Sequence, residues 1–189
     1  MHVYMICLHQ AIDTFTGTMA SNLVSLLPML LVLSCVVADR TSTEAYLKRI
    51  CSKTIDPSFC TQALKSDPRS ATADLRGLAE IAVRLSEASA EKTLKLARSL
   101  AKSAASPELK ERYASCAKIY DRIVGYVEGA GEALRSEDYQ SMSIETSEAM
   151  SLVFNCGEEI ESSDRSPLPQ MNQEMNDLAS IVYEASMIL

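Results

Sequence analysis

The sequence predicts an all-α protein built as an up-down-up-down four-helix bundle, and three observations support this fold class. Ala, Ser, Leu, Glu and Lys are plentiful, whereas the chain has 6 Gly, 3 Phe and no Trp, a composition that favours helix over sheet. Long segments carry apolar residues at alternating spacings of three and four, which is the repeat of one helical face. Breaks rich in Ser, Asp or Pro separate these segments. A hydrophobic content of 47% over 189 residues is enough for one domain with one core.

The N-terminal region carries a hydrophobic segment. Residues 23–38 are uncharged and end in Val-Val-Ala, and a small residue such as Ala38 at that place is typical of a signal-peptide cleavage site. The segment contains Pro28 and is shorter than the about 20 apolar residues that a membrane-spanning helix needs. We therefore predict cleavage after Ala38.

This cleavage would divide the chain into two parts. Residues 1–38 are predicted to be an upstream segment plus the signal peptide, with translation starting at Met1 or at Met19. Residues 39–189 are predicted to be a secreted, extracellular domain with no membrane anchor. We expect this domain to be a monomer or a weak dimer.

The charge of the chain and the positions of its histidines disfavour several classes of function for the secreted domain. A formal net charge of −7 disfavours nucleic acid as a partner, because phosphates call for a basic face. Both histidines, His2 and His9, precede the predicted cleavage site, and histidine is the commonest general base and zinc ligand at neutral pH. We therefore expect no catalytic site of the Ser/His or Cys/His type and no metal site. Paired carboxylates, as in glycosidases, remain possible in principle, but they need a cleft, which slender bundles seldom form.

The secreted domain is predicted to begin with a helical hairpin over residues 41–68. Its two short helices are expected near residues 43–53 and 57–66, on either side of the turn Ile-Asp-Pro-Ser at 55–58. A turn of this composition is typical of a helix–helix connection.

The bundle is predicted to span residues 70–189. Its first helix lies within 71–104, and its second begins at Ser106-Pro107, since Ser is a preferred N-cap and Pro a preferred first residue. The polar break at 136–138 and the prolines near 167–169 bound the third helix. The predicted core-facing residues are, helix by helix, Leu75, Leu78, Ala82, Leu85, Leu94, Ala97, Ala101 and Ala104; Leu109, Tyr113, Cys116, Tyr120, Ile123, Val127, Ala130 and Leu134; Met142, Thr146, Ala149, Val153, Cys156 and Ile160; and Met171, Met175, Leu178, Val182, Ala185 and Leu189.

Four cysteines remain after the predicted cleavage: Cys51, Cys60, Cys116 and Cys156. An even number in a secreted chain indicates two disulfides, for which three pairings exist. Cys116 and Cys156 lie equally far from residue 136, where the turn between two helices is predicted, so an antiparallel hairpin brings them level. This geometry favours a Cys116–Cys156 bridge and leaves Cys51–Cys60 as a local clip of the N-terminal hairpin.

Four cysteines with this spacing on a helical bundle resemble the plant invertase and pectin methylesterase inhibitor family. The resemblance runs from about Glu44 to the C-terminus. It is strongest in ICSKTIDPSFCTQAL from Ile50, SDPRSATADLRGLAEIA from Ser66 and SPELKERYASC from Ser106. It implies bridges between the first and second and between the third and fourth cysteines, and a place in the plant apoplast or cell wall. It implies further that the protein is not an enzyme and has no catalytic residue and no cofactor. It also implies that the bundle docks over the substrate cleft of a cell-wall enzyme in a one-to-one complex.

The start of the third bundle helix separates two branches of that family. Invertase inhibitors of this type carry Pro-Lys-Phe there, whereas this chain has Tyr139-Gln140-Ser141. The preceding Asp138-Tyr139 pair resembles the methylesterase branch. Pectin methylesterase is therefore the favoured target. The alternatives are an inhibitor of cell-wall or vacuolar invertase and a secreted helical bundle that inhibits nothing.

The resemblance also implies which residues contact the target enzyme. The family presents acidic residues just after the third cysteine, where this chain has Lys118, Arg122 and Gly125. Because like charges facing each other across an interface cost several kcal/mol, such a change of sign can alter the choice of partner. The candidate partner contacts are Lys118, Arg122, Gly125, Tyr139 and Gln140.

Overall fold

The computed structural model describes residues 42–160 and 164–189, and these residues are helical with short connections. The predicted all-α fold class is confirmed. The predicted upstream segment, signal peptide and cleavage after Ala38 lie outside the described residues. Tyr46–Leu189 form one compact unit, and of the preceding unit, Met1–Ala45, the structure describes residues 42–45 as helical.

Six α-helices and one short 3-10 helix make up the described part of the chain. In order they are α1 over 42–51, α2 over Pro57–Lys65, the 3-10 helix over Pro68–Thr72, α3 over Leu75–Ser103, α4 over Pro107–Arg135, α5 over Tyr139–Glu159 and α6 over Leu168–Ser186. The helices α1 and α2 match the two short helices predicted for the N-terminal hairpin to within about two residues.

The four long helices pack as a closed ring. α3 packs on α4, α4 on α5, α5 on α6, and α6 back on α3. Residues 104–106 join α3 to α4 and residues 136–138 join α4 to α5, and such short connections make neighbouring helices antiparallel. The up-down-up-down four-helix bundle is therefore confirmed. α2 packs on α3 and α6, which places the N-terminal hairpin against one side of the bundle.

The predicted apolar stripes of α4, α5 and α6 face the core. All their predicted core residues are buried except Leu109, Ile160, Met171 and Leu189, which are half-buried near helix ends. Tyr120, Ile123, Met142, Met175 and Ile181 are among the largest fully buried side chains. Burial of apolar surface at about 25 cal/mol per Å² is the main force that holds such a bundle together.

The first bundle helix lies within the predicted segment 71–104. It begins at Leu75 because Asp74 is its N-cap and accepts a hydrogen bond of 2.8 Å from the backbone N–H of Gly77. Its predicted core residues Leu75, Leu85, Ala101 and Ala104 are only half-buried. Small polar residues are buried in this helix instead, among them Ser86 and Thr93, whose hydroxyls donate to backbone carbonyls one turn earlier.

Two disulfide bridges are present in the described chain. One joins Cys51 to Cys60, with 5.4 Å between the Cα atoms, and the other joins Cys116 to Cys156, with 5.0 Å. These are the pairs that the spacing of the cysteines predicts. The first clips the N-terminal hairpin, and the second crosslinks α4 to α5 inside the core, where both of its cysteines are fully buried.

Two carboxyl groups with raised pKa values make stability depend on pH. Burial raises the pKa of Glu87, against the effect of nearby Arg135, and burial raises the pKa of Asp177, against a hydrogen bond of 3.1 Å from the side-chain amide of Gln173. The folded protein therefore binds these protons more tightly than the unfolded chain. Their contribution to stability is present below the ordinary pKa values and is lost as the pH rises through the raised ones.

We therefore expect the midpoint of thermal unfolding to fall as the pH rises above the ordinary carboxyl pKa values near about 4, by about 2–4 °C for each kcal/mol lost. Differential scanning calorimetry in buffers of equal ionic strength measures it. Asp67 and Asp138 have lowered pKa values because Arg69 and Ser141, respectively, donate hydrogen bonds to them, so stability also declines in strong acid. A double Glu87→Gln, Asp177→Asn variant should flatten the fall with rising pH, and an unchanged fall would contradict this assignment.

Candidate functional site

Three of the candidate contact residues lie together on α4. Lys118, Arg122 and Gly125 are exposed and spaced by four and three residues, so they share one outward side of the helix. Asp121 lies beside them and accepts a hydrogen bond of 2.7 Å from the guanidinium of Arg98 on α3. The outward side of α4 is therefore of mixed charge.

The other two candidate residues lie at the first turn of α5. Tyr139 is half-buried and packs against the core, whereas Gln140 is exposed. Asp138 is the N-cap of this helix, and its carboxylate accepts hydrogen bonds from the backbone N–H of Ser141 at 3.0 Å and from the Ser141 hydroxyl at 2.6 Å. The Asp138-Tyr139 pair thus starts α5 and anchors it to the core, and these contacts give it a structural role.

The structure does not bring the five candidate residues into one cluster. Gly125 is ten residues before Arg135, the last residue of α4, which corresponds to about 15 Å along the helix axis. Lys118 is farther still from the turn that leads into α5. The candidates therefore form two groups, one at the middle of α4 and one at an end of the bundle.

Two exposed apolar side chains on α5 were not among the predicted contacts. Ile144 is 54% exposed and Phe154 is 66% exposed. The Cys116–Cys156 bridge sets the register of α4 against α5, and it places Phe154 roughly level with Lys118. We use the term docking face for the outward residues Lys118, Arg122, Gly125, Ile144 and Phe154 of these two helices.

The described residues offer little for catalysis or for holding a cofactor. They contain no group of three His, Cys, Asp or Glu side chains that could hold a metal ion. A depression of about 290 Å³ lies where α4 begins and α5 ends, but its polar groups are engaged with one another. There the Tyr113 hydroxyl donates to Asp164 at 3.1 Å, and the Arg112 guanidinium donates to the backbone carbonyl of Glu159 at 3.2 Å.

Among the described residues, no helix is both long and apolar enough to cross a membrane.

The sequence profile of a family described as plant invertase/pectin methylesterase inhibitor matches residues 45–184, which is most of the chain. The chain belongs to this family. Because the family consists of inhibitor proteins, this membership agrees with the expectation that the chain is not an enzyme.

Comparison with individual relatives also places the chain in this family. The chain is 37% identical over 180 residues to a pectinesterase inhibitor from Actinidia deliciosa, covering 93% of this chain and 97% of the relative. It is 33% identical over 131 residues to the cell wall / vacuolar inhibitor of fructosidase 2 from Arabidopsis thaliana, covering 67% of this chain and 73% of the relative. The crystal structure of a mutant form of a pectin methylesterase inhibitor from Arabidopsis superposes with a TM-score of 0.70 at 30% identity, covering 76% of this chain and 96% of that one.

Gly125 is the member of the docking face whose substitution has a predictable effect on stability. A Cβ atom built there meets nothing within 4 Å, and glycine inside a helix costs about 0.5–1 kcal/mol relative to alanine. Gly125→Ala should therefore raise the unfolding free energy by about that amount, as measured by urea denaturation. Gly77→Ala is the control, since its Cβ would lie 3.1 Å from that of Ala73 and should gain less. A lower unfolding free energy for Gly125→Ala would contradict the finding that a Cβ atom at this position meets no neighbouring atom.

Proposed function

We propose that this protein inhibits pectin methylesterase. The observation that carries the proposal is the 37% identity to a pectinesterase inhibitor over nearly the whole length of both chains. The first turn of α5 supports it, because Tyr139-Gln140-Ser141 stand where the invertase branch has Pro-Lys-Phe, and Ser141 is held by the Asp138 cap.

We propose further that the inhibitor docks through the docking face. Both helices that carry it are long, and the Cys116–Cys156 bridge ties them together beneath Lys118. A surface that is rigid before binding loses little conformational entropy on association. Phe154 and Ile144 are suited to act as apolar anchors, while Lys118 and Arg122 would guide approach and fix the orientation of the partner.

The finer features of this function are proposals that follow from the sequence. We propose removal of residues 1–38 on secretion, with cleavage after Ala38, and action in the plant apoplast or cell wall. We propose a one-to-one complex of a monomeric inhibitor with its enzyme. A specific interface of this kind buries about 1,600 Å² in total.

A parallel titration tests the function. The oxidised protein spanning residues 39–189 is titrated against purified pectin methylesterase and against purified cell-wall invertase at mildly acidic pH. Loss of methylesterase activity alone, with an end point at equal molar amounts, is the expected result. Loss of invertase activity alone would replace the proposal with the invertase alternative, and no effect on either enzyme would favour a bundle that inhibits nothing.

Phe154→Ala tests the docking face. The side chain is 66% exposed, so its removal should leave stability nearly unchanged, whereas loss of a central aromatic anchor typically costs about 2 kcal/mol of binding, or roughly 30-fold in affinity. The matched control is Ile55→Ala, since Ile55 is 55% exposed in the N-terminal hairpin and lies outside the docking face. Inhibition constants for both variants measure the effect. Equal affinities of Phe154→Ala and the unmodified protein would contradict this part of the proposal.

A further inference from the structure

A shallow groove runs between the C-terminal part of α3 and the N-terminal part of α4. Its volume is about 440 Å³, and it is lined by Arg98, Ala101, Lys102, Lys110, Ala114 and Ala117. We call it the basic groove. Its three charged residues are all cations, although the chain as a whole carries a net charge of −7.

The two lysines of the basic groove, Lys102 and Lys110, have no ion-pair partner among the residues that the structure describes. Arg98 donates to Asp121, which lies beyond the groove lining. Lys110 is also in the first turn of α4, near the positive end of the helix dipole, where a cation is disfavoured. Lys102 lies in the last turn of α3, where a cation is favourable to the helix dipole. Lys110 is therefore the cation of the groove whose position is not explained by the described contacts of the fold.

The shape of the basic groove limits what it can bind. The uncharged residues of its lining are Ala101, Ala114 and Ala117, whose side chains are single methyl groups, so this part of the lining is apolar and carries no long side chain. An apolar lining of this kind suits the flat apolar face of a sugar ring, and the cations of the lining suit carboxylates. An open groove of this kind accommodates an elongated chain better than a compact ligand, which needs a concave pocket.

We propose that the basic groove binds an acidic polysaccharide, a uronic acid polymer with free carboxylates. The proposal rests on the proposed function, because a pectin methylesterase converts uronate methyl esters into free carboxylates and so produces this polymer where it acts. Binding would hold the inhibitor on stretches of the polymer whose methyl esters the enzyme has already converted into free carboxylates. The groove lies between α3 and α4, whereas the apolar anchors Ile144 and Phe154 are on α5, so the two activities are separable by substitution.

The test is titration calorimetry of the oxidised protein with oligogalacturonate and with the fully methyl-esterified oligomer of the same length, in the absence of enzyme. Binding of the free acid, with much weaker binding of the ester, is expected. Raising the salt concentration from 20 to 200 mM should weaken it, because the Debye length shortens from about 20 Å to below 10 Å. Lys102→Gln, Lys110→Gln as a double variant should reduce affinity about tenfold.

The matched control is the double variant Lys48→Gln, Lys53→Gln, which removes two exposed charges from the N-terminal hairpin. It should bind like the unmodified protein. Equal binding of acid and ester, equal weakening by both double variants, or equally tight binding of single-stranded DNA would each overturn the proposal. The Lys102, Lys110 variant should still inhibit the esterase, so a failed enzyme titration and a failed oligomer titration are distinguishable.

Discussion

Replacing Cys116 and Cys156 by alanine should lower the unfolding free energy by about 4 kcal/mol. The bridge closes a loop between cysteines 40 residues apart, and a crosslink of that span restricts the unfolded chain by about this amount. Both cysteines are also buried in a core cluster to which α3, α4, α5 and α6 all contribute, so removal of the sulfur atoms leaves a cavity. Guanidinium chloride denaturation of the oxidised variant and of the unmodified protein measures the difference.

The matched control is the variant with Cys51 and Cys60 replaced by alanine. Their separation is 9 residues, so the same relation gives about 2.6 kcal/mol. We also expect the two variants to differ in inhibition. Losing Cys116–Cys156 loosens the α4–α5 register beneath the docking face, whereas losing Cys51–Cys60 affects the N-terminal hairpin. A larger loss of stability in the Cys51, Cys60 variant would contradict this ranking.

Asn172→Ala should have the second largest effect, about 2–4 kcal/mol. Asn172 on α6 accepts a hydrogen bond of 2.9 Å from the Tyr120 hydroxyl on α4 and donates one of 3.1 Å to the backbone carbonyl of Val153 on α5. Tyr120 is fully buried, and this burial raises the pKa of its hydroxyl above the usual range. Removing the amide therefore leaves two buried polar groups without this partner, each at about 1–3 kcal/mol.

A double-mutant cycle with Tyr120→Phe isolates this interaction. Tyr120→Phe alone should cost about 1–2 kcal/mol, and the two costs should not add, because either change breaks the same hydrogen bond. Asn155→Ala, at an exposed position of α5, is the control and should change the unfolding free energy by less than about 0.5 kcal/mol. Additive costs of Asn172→Ala and Tyr120→Phe would show that the two side chains are not coupled.

The helices of the bundle were predictable because N-cap residues, prolines and apolar spacing are local features of the sequence, and here they agree with one another. The second bundle helix shows this well, since Ser106 caps it, Pro107 opens it, and its apolar stripe is buried from Tyr113 to Leu134, which is about six turns. The sequence predicts the segment that contains α3 but not its first residue, because two caps lie close together there. Asp67 caps a 3-10 helix and Asp74 caps α3, and both precede residues that form helices readily.

The surface was harder to predict than the core. Phe154 lies off the predicted apolar stripe of α5 and is exposed, but the apolar spacing does not indicate whether such a side chain contacts a partner. Conversely, Ser86 and Thr93 are buried because their hydroxyls bond to the backbone of their own helix. The pattern of hydrophobicity carries neither kind of information.

The order of the disulfides has a consequence for biosynthesis. Each bridge of residues 39–189 joins cysteines that are consecutive along the chain. When a chain without residues 1–38, as proposed for the secreted form, emerges N-terminus first into an oxidising compartment, Cys51 and Cys60 can pair before Cys116 appears, and no third thiol competes with them. The next pair closes in the same way once α5 has emerged. Native pairing during vectorial synthesis therefore requires an oxidant but no slow reshuffling of mispaired intermediates.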